Sequence, residues 1–222
     1  MIARWPCPLP GGGSGEEYAL AFDSGRARRL LIIPALFDEA NRLRRFAVEA
    51  MRRLDAAGVD CFLPDLPGTN ESPQPLPAQS LDSWRAAVAL AAAHFGAGEV
   101  LVLRGGALVA PALPGWALAP VGGAAVLRQM LRMRIISARE AGSEETSAAL
   151  MDLGRREGIV LAGHELGPAM VAQLETAGAA PGLTGIAQSD LGGSALWLRA
   201  EPDEDAGQSQ ALAGIVAGGL QG

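Results

Sequence analysis

The residues best suited to chemistry follow an apolar run, in the segment 102–106, whose sequence is VLRGG. A strand that enters a sharp glycine-containing turn before a helix can hold a functional side chain in a strained conformation. Arg104 stands at the centre of this turn, and it cannot attack a carbonyl because a guanidinium stays protonated at working pH. It can bind a carboxylate or phosphate, helped by the N–H groups of Gly105 and Gly106. The sequence therefore predicts a binding site at this turn.

Phe37, Asp38 and Glu39 follow another apolar run, Leu30–Pro34. The carboxyl ends of parallel strands meet at one edge of a sheet, where ligands bind, so we place these three residues in the same candidate site as Arg104. The two carboxylates can act as general acid and base if burial separates their pKa values. Alternatively, they cap the following helix and favour its positive end, or one of them forms an internal ion pair with Arg104.

His164 follows a further apolar run and completes the candidate ligand-binding set. An imidazole after a strand can contact a ligand, although a histidine in a loop is equally compatible with a structural role. The later acids Asp190, Asp203 and Asp205 have no histidine after them, and no Ser, Cys or Asp stands at the centre of the glycine turn. We therefore predict no catalytic triad and assign no catalytic residue.

Composition narrows the classes of function further. The 222 residues are 49% hydrophobic with a net charge of −6, which predicts one globular domain spanning the whole chain. All basic residues are arginine, which excludes P-loop and Schiff-base lysines. The arginines are scattered among the acids, so we expect no nucleic-acid partner. Two cysteines and two histidines offer few ligands, and we predict no metal or cofactor.

Two segments bear on location. The amino-terminal residues 1–8 lack the apolar core of a signal peptide, so we expect a cytoplasmic protein with reduced thiols. The uncharged run 107–127 reaches the length of a membrane span, but its prolines and glycines would break a lipid-exposed helix. We interpret this run as buried core and expect no transmembrane segment.

Short apolar runs alternate with amphipathic stretches from Leu30 onward, a pattern typical of a mostly parallel sheet flanked by helices. The predicted strands are 30–34, 59–64, 99–103, 116–121, 158–162 and 195–199. The predicted helices are 39–57, 81–95, 123–139, 144–153 and 168–176, with a weak alanine-rich helix at the end. We expect residues 123–153 to form a helical cap over the carboxyl edge of the sheet.

Four blocks of sequence carry a resemblance to a known family. They are IPALFDEANRLRR at 33–45, DLPGTNES at 65–72, LRGGAL at 103–108 and LAGHEL at 161–166. In these blocks the chain resembles the exosortase A system-associated hydrolases of type 2, which are α/β-hydrolase-fold proteins. The resemblance implies that fold with a shortened carboxyl-terminal part, in a bacterial protein that acts near exopolysaccharide export and protein sorting. It also implies that an arginine at the turn is a feature of the group.

Two functions follow as expectations. One is a hydrolase-family member that acts on acyl or ester bonds, or derives from enzymes that do so, with a degenerate nucleophile turn. The other is a non-catalytic pseudo-hydrolase that binds a small anionic or acyl ligand, with Arg104 binding the anion. The same protein could instead bind a protein partner or a second copy of this chain. Arg128, Arg132 and Arg134 share one predicted helix, and they indicate either a solvated face or a surface for an anionic partner or membrane.

Overall fold

A central sheet with helices on both faces organises the protein, and the computed structural model describes residues 1–199 and 201–220. The strands are β1 (Ile2–Pro8), β2 (Ser14–Phe22), β3 (Arg29–Ile33), β4 (Asp60–Pro64), β5 (Glu99–Leu103), β6 (Gly115–Leu118), β7 (Ile159–Leu161), β8 (His164–Leu166) and β9 (Thr184–Ile186). Seven of them pair in the order β1-β2-β4-β3-β5-β6-β9, and β7 and β8 form a separate antiparallel hairpin. Strand β2 is antiparallel to both neighbours, whereas β4, β3, β5, β6 and β9 are parallel.

Helices cover both faces of the sheet. They are α1 (Asp38–Ala56), α2 (Leu81–Phe95), α3 (Gly123–Glu140), α4 (Ser147–Glu157), α5 (Pro168–Thr176), α6 (Gln188–Leu191) and α7 (Ala206–Gly219). Helices α1 and α7 pack on one face, and α2, α3 and α5 pack on the other. None of the described helices is both long enough and apolar enough to cross a membrane.

Burial on both faces explains why the parallel strands β3, β4 and β5 are continuously apolar after their first residue. In β3, Leu31 and Ile33 pack with the α2 layer, while Leu30 and Ile32 pack with the α1 layer. All four side chains are fully buried. The predicted mostly parallel sheet is therefore confirmed, and the predicted helices 39–57 and 81–95 correspond to α1 and α2.

The β1–β2 hairpin is not predicted by the sequence pattern. Strand β1 contains Pro6 and Pro8, which cannot donate to a ladder and are tolerated because β1 lies at the edge of the sheet. Only alternate residues of β1, Trp5 and Cys7, are fully buried. An interrupted edge strand of this kind has no continuous apolar run.

The predicted strand 195–199 is wrong, because a 3₁₀ turn spans Leu196–Leu198. Leu196 and Trp197 are both buried although they are adjacent, and Leu198 is 75% exposed, so the segment lacks the alternation of a strand. The strand predicted at 116–121 ends at Leu118, and the one predicted at 158–162 pairs with β8 outside the main sheet.

A buried ion network ties the amino ends of β3 and β4 together. Asp60 has no exposed side-chain surface and accepts hydrogen bonds from the backbone N–H groups of Ser24 and Arg26, at 3.1 and 2.8 Å. Its carboxylate also accepts from the guanidinium groups of Arg26 at 2.9 Å and Arg29 at 3.2 Å. The network thus fixes the segment between β2 and β3 against β4.

A second buried carboxylate, Glu17, lies where β2 meets the loop after β4. Its Oε1 accepts hydrogen bonds from Ser72 Oγ and Gln74 Nε2, both at 2.8 Å. Its Oε2 is buried and has no hydrogen-bond partner among the described residues. Burial raises the pKa of Glu17 above its usual value of 4.5, opposed by the hydrogen bonds from Ser72 and Gln74.

This raised pKa predicts a pH-dependent stability. The folded protein binds the Glu17 proton more tightly than the unfolded chain, so this contribution to stability is fully present below the unfolded pKa. It is lost as the pH rises through the folded pKa. Glu17→Gln keeps the acceptor for Ser72 and Gln74 and removes the charge. We expect this variant to be more stable than the parent at pH 7 by about 1 kcal/mol or more, because burying an unpaired charge costs more than burying an amide.

Urea unfolding measured from pH 4 to pH 8 checks this prediction. The gap between Glu17→Gln and the parent should widen as the pH rises. A gap that is the same at every pH, or that shrinks with rising pH, contradicts the proposed titration of Glu17.

Candidate functional site

The backbone at the end of β5 forms the predicted sharp turn, with Arg104 at its apex. Arg104 has a φ of 52°, in the left-handed region that costs a residue with a side chain about 1–3 kcal/mol. Gly106 allows the turn to pack closely, because a Cβ there would lie 2.4 Å from the carbonyl oxygen of Pro34. The turn is therefore strained at one residue and closed against the end of β3.

Three groups hold the Arg104 guanidinium. Its Nε and Nη2 each donate to the Glu39 carboxylate at 3.1 Å, and Nη1 donates to the carbonyl of Ala119 at 2.8 Å. The guanidinium carbon lies 4.2 Å from the ring centroid of Trp197. Only 13% of the Arg104 side chain and 9% of the Glu39 side chain are exposed. The arginine is thus bonded in its plane and stacked on one face.

This geometry selects one of the alternatives for the two acids. Glu39 forms the internal ion pair with Arg104, while Asp38 forms a salt bridge with Arg42 at 2.6 Å on the same helix. Neither acid caps α1 through a side-chain hydrogen bond, and the N-cap residue is Phe37. Both acids still lie in the first turn, where the helix dipole favours negative charge. Binding of a ligand anion by Arg104 would require displacement of Glu39 and stays a prediction.

Two cavities open on either side of the loop after β3. The narrower, of about 50 Å³, lies between this loop, the Arg104 turn and α3; its lining includes Phe37, Asp38, Glu39, Arg104, Gly105, Gln129, Met130 and Met133. The larger, of about 200 Å³, is lined by Pro34, Ala35, Leu36, Phe37, Ala40, Asn41, Leu66, Gly68, Thr69, Asn70, Trp84 and His164. Phe37 lies between the two and has a φ of 55°, so it is strained like Arg104.

His164, at the start of β8, contributes the only ionisable side chain among the residues that line the larger cavity. Its ring packs edge-on against Phe37, with 5.5 Å between centroids, and has no hydrogen-bond partner in the described part of the chain. Burial lowers the pKa of His164, opposed by the negative charge of Asp38. The imidazole is therefore neutral near pH 7 and offers one donor and one acceptor.

The structure brings most of the predicted site residues together. Phe37, Asp38, Glu39, Arg104 and Gly105 share the narrow cavity, and His164 lies across Phe37 in the larger one. Gly106 is buried behind the turn and lines neither cavity. Helix α3 borders the narrow cavity, and assignment of 123–153 as a cap stays a prediction.

Several residues of the site were not predicted from the sequence. Trp197 and the carbonyl of Ala119 gave no signal, because each reaches Arg104 only through the tertiary fold. Thr69 and Asn70 follow β4 at the ligand-binding edge, so the strand-end rule that selected Arg104 could have found them. Trp84 lies on the buried face of α2, where the sequence does not distinguish a cavity wall from a core residue.

The described residues contain no arrangement for nucleophilic catalysis at the turn. Ser72 is held in a tight turn, where its hydroxyl accepts from the N–H of Gly68 at 2.7 Å and donates to Glu17. Burial raises the pKa of the Cys7 and Cys61 thiols to about 12, so neither is a reactive thiolate. The carboxylate of Asp190 accepts from the N–H of Ala187 and caps the short helix α6.

Comparison with known proteins gives structural relatives only. No protein-family model and no curated protein matches the sequence. Rv0554 from Mycobacterium tuberculosis is similar in structure, with a TM-score of 0.50 and 15% identity over 83% of this chain and 80% of that one. Alpha/beta hydrolase domain-containing protein 10 from mouse has a TM-score of 0.47 and 11% identity, over 79% and 69% of the two chains.

In two further structural relatives, the part that matches this chain covers less than two thirds of the relative's own length. A thermophilic esterase from Thermogutta terrifontis, solved with malate bound, has a TM-score of 0.44 and 15% identity over 71% of this chain, which spans 54% of the esterase. The chain spans 60% of a solved protein from Agrobacterium vitis S4, with a TM-score of 0.47 and 16% identity over 62% of this chain. The strand order, the antiparallel β2 and the sharp turn after β5 show that this chain has the α/β-hydrolase fold.

Proposed function

We propose that this chain is a pseudo-hydrolase, a binding protein derived from enzymes that act on acyl or ester bonds, which holds a small acyl ligand without cleaving it. The observation that carries the proposal is the engagement of Arg104 by Glu39, Ala119 and Trp197 at the position of the nucleophile. A nucleophile and its base together supply most of a triad's rate enhancement, often a factor of about 10⁴ or more. Here that position holds a cation that is already paired.

The larger cavity provides the binding site in this proposal. Phe37, Leu66 and Trp84 give it buried apolar walls, and the neutral imidazole of His164 supplies a donor and an acceptor at its side. An apolar pocket with a few polar groups is the usual form of a small-molecule site. The arrangement suits a short neutral acyl group with an amide or hydroxyl, and it suits an anion less well because Glu39 already occupies Arg104.

The exosortase and exopolysaccharide context belongs to the same proposal. Apart from Trp84, every residue that lines the larger cavity falls in three of the blocks that carry the family resemblance, 33–45, 65–72 and 161–166. The fourth block, 103–108, forms the Arg104 turn. The segments that resemble the exosortase-associated hydrolases thus converge on one cavity and the turn beside it, which supports a ligand from that context.

Hydrolysis of an acyl or ester bond is the second candidate. The observation in its favour is the retained strain at Phe37 and Arg104, since strained residues cluster where a site is organised for chemistry. In that case His164 is the one group in the larger cavity able to accept a proton.

Thermal unfolding with butyramide and with butyrate separates the candidates. We expect the neutral amide to raise the melting temperature and the carboxylate to leave it unchanged; ligand at 100 times its Kd adds about 2.7 kcal/mol of stability. His164→Ala should lose the shift. His94→Ala is the matched control, because His94 lies at the exposed end of α2 and lines neither cavity.

Hydrolysis of p-nitrophenyl butyrate and a butyryl thioester completes the test. The purified chain should give the same rate as buffer. Turnover above buffer that disappears in His164→Ala establishes the second candidate and rejects the first. Stabilisation by butyrate that is lost in Arg104→Met shows instead that Arg104 grips an anion. Butyramide that shifts the parent and His164→Ala equally rejects the proposed site.

A further inference from the structure

Three arginines on one face of α3 lack an internal partner. Arg128, Arg132 and Arg139 are exposed, and within residues 1–199 and 201–220 their side chains form no salt bridge or hydrogen bond. Within the described part of the chain, Arg28 is the only other arginine without such a partner, and the remaining arginines form salt bridges. In a chain with a net charge of −6, these three residues concentrate uncompensated positive charge on one helix face.

The same face borders an open groove of about 1030 Å³. Its lining is cationic and apolar, and among the described residues it contains no acid: Arg128, Gln129, Leu131, Arg132, Ile135, Ile136, Arg139, Ser147 and Leu198. Ile136 is 47% exposed, and Leu198, which follows β9 in the chain, is 75% exposed. Large apolar side chains exposed together within a rim of charge are typical of interaction surfaces.

We propose that this groove, bounded by Arg128, Arg132, Arg139, Ile136 and Leu198, binds an acidic segment of a partner protein. Carboxylates of the segment pair with the three arginines, and its apolar side chains pack against Ile136 and Leu198. This inference is independent of the proposed acyl ligand.

Two other occupants fit the groove less well. A lipid surface requires a protruding apolar face rich in large side chains, whereas here the exposed apolar side chains line a concavity. A second copy of this chain carries the same net charge of −6, so association meets long-range repulsion between the copies. A short acidic segment can lie within the groove itself, close to the three arginines, where their local positive field acts on it most strongly.

The position of the groove connects its occupant with the Arg104 turn. Helix α3 lies between the groove and the narrow cavity, because Gln129 lines both. Across the groove, Leu198 adjoins Trp197, whose ring stacks on Arg104. A bound segment therefore contacts both of the elements that enclose the turn.

Selection of a random peptide library on the immobilised full chain tests the proposal. We expect enrichment of peptides that combine acidic and large apolar residues. Synthetic copies of these peptides, labelled with fluorescein, should bind the parent in anisotropy titrations. The double variant Arg128→Glu/Arg132→Glu should weaken that binding by about tenfold or more, equivalent to about 1.4 kcal/mol. Added salt should weaken binding to the parent and not to the double variant.

Arg28→Glu is the matched control, since Arg28 is exposed and unpaired within the described residues but lies outside the groove. It should leave the peptide affinity unchanged. The proposal is overturned if no peptide is enriched over the empty support, or if Arg28→Glu weakens binding as much as the double variant does. The proposal is also overturned, in favour of binding to a lipid surface, if the protein sediments with phosphatidylserine vesicles and no peptide is enriched. Leu198→Ser, which alters no charge, should weaken binding as well, and an unchanged affinity rejects the apolar contact.

Discussion

Glu39→Gln is expected to lower the free energy of unfolding by about 3–5 kcal/mol, the range for breaking one side of a buried ion pair. The substitution keeps the shape of the side chain but leaves the Arg104 guanidinium without a counter-charge. An arginine side chain does not relieve such a loss by giving up its proton. Only 13% of its side chain is exposed, so water compensates little of the charge. Urea unfolding at pH 7, followed by tryptophan fluorescence, measures the loss.

A matched pair of variants isolates the cause. Asp38→Asn changes the adjacent acid, which forms a more exposed salt bridge with Arg42 within α1, and it should cost about 0.5 kcal/mol or less. Glu39→Leu combined with Arg104→Met removes both charges and should be more stable than Glu39→Gln alone, because apolar replacement of a buried pair is often neutral. Equal losses in Glu39→Gln and Asp38→Asn would show that Glu39 does not compensate Arg104.

Asp60→Asn should destabilise the protein by about 2–3 kcal/mol, the upper part of the range for leaving buried hydrogen-bond groups unpaired. The loss is smaller than for Glu39→Gln because Arg26 and Arg29 keep salt bridges with Asp55 and Asp23. The Asp60 carboxylate is fully buried and accepts from two guanidinium groups and two backbone N–H groups. An asparagine amide places an N–H donor against at least one of these donors and removes the negative charge between Arg26 and Arg29. The denaturant midpoint should fall with little change in slope.

Asp152→Asn provides the surface comparison for this network. Asp152 forms a salt bridge with Arg155 on α4, but its side chain is 70% exposed, so the expected loss is below about 1 kcal/mol. If the two variants lose equal stability, the Asp60 network contributes no more than an exposed pair. Unfolding in molar salt should widen the difference in stability loss between the two variants, since salt screens the exposed pair more than the buried one.

The parts of the fold that were predictable follow from burial on two faces. Strands such as Leu30–Pro34 are continuous apolar runs because helices cover both sides of the parallel sheet. The β1–β2 hairpin escaped prediction because an edge strand needs only one buried face and tolerates Pro6 and Pro8. The segment 195–199 was misassigned because its apolar residues pack as a turn against α1, and local sequence does not specify that contact.

The site was predictable to the extent that its signals are local. The turn at Arg104 depends on adjacent glycines, and Glu39 lies at a neighbouring strand end, so both entered the candidate set. The stack with Trp197 and the bond to Ala119 depend on the packing of distant segments and on a positive φ of 42° at Ala119. No pattern of residue types encodes such contacts. The larger cavity was missed as a unit because two loops, two helices and the start of β8 form it together.

The three-way engagement of Arg104 also bears on how this molecule can change over evolutionary time. Replacement of Arg104 by serine in one step would leave the Glu39 carboxylate buried without its ion-pair partner. It would also leave a gap above the Trp197 ring. A working hydroxyl would further need a base beside it. Substitutions at coupled residues of this kind do not have additive effects, so each single change loses stability before any reactivity is gained. The buried contacts of Arg104 thus oppose the introduction of a nucleophile at this position.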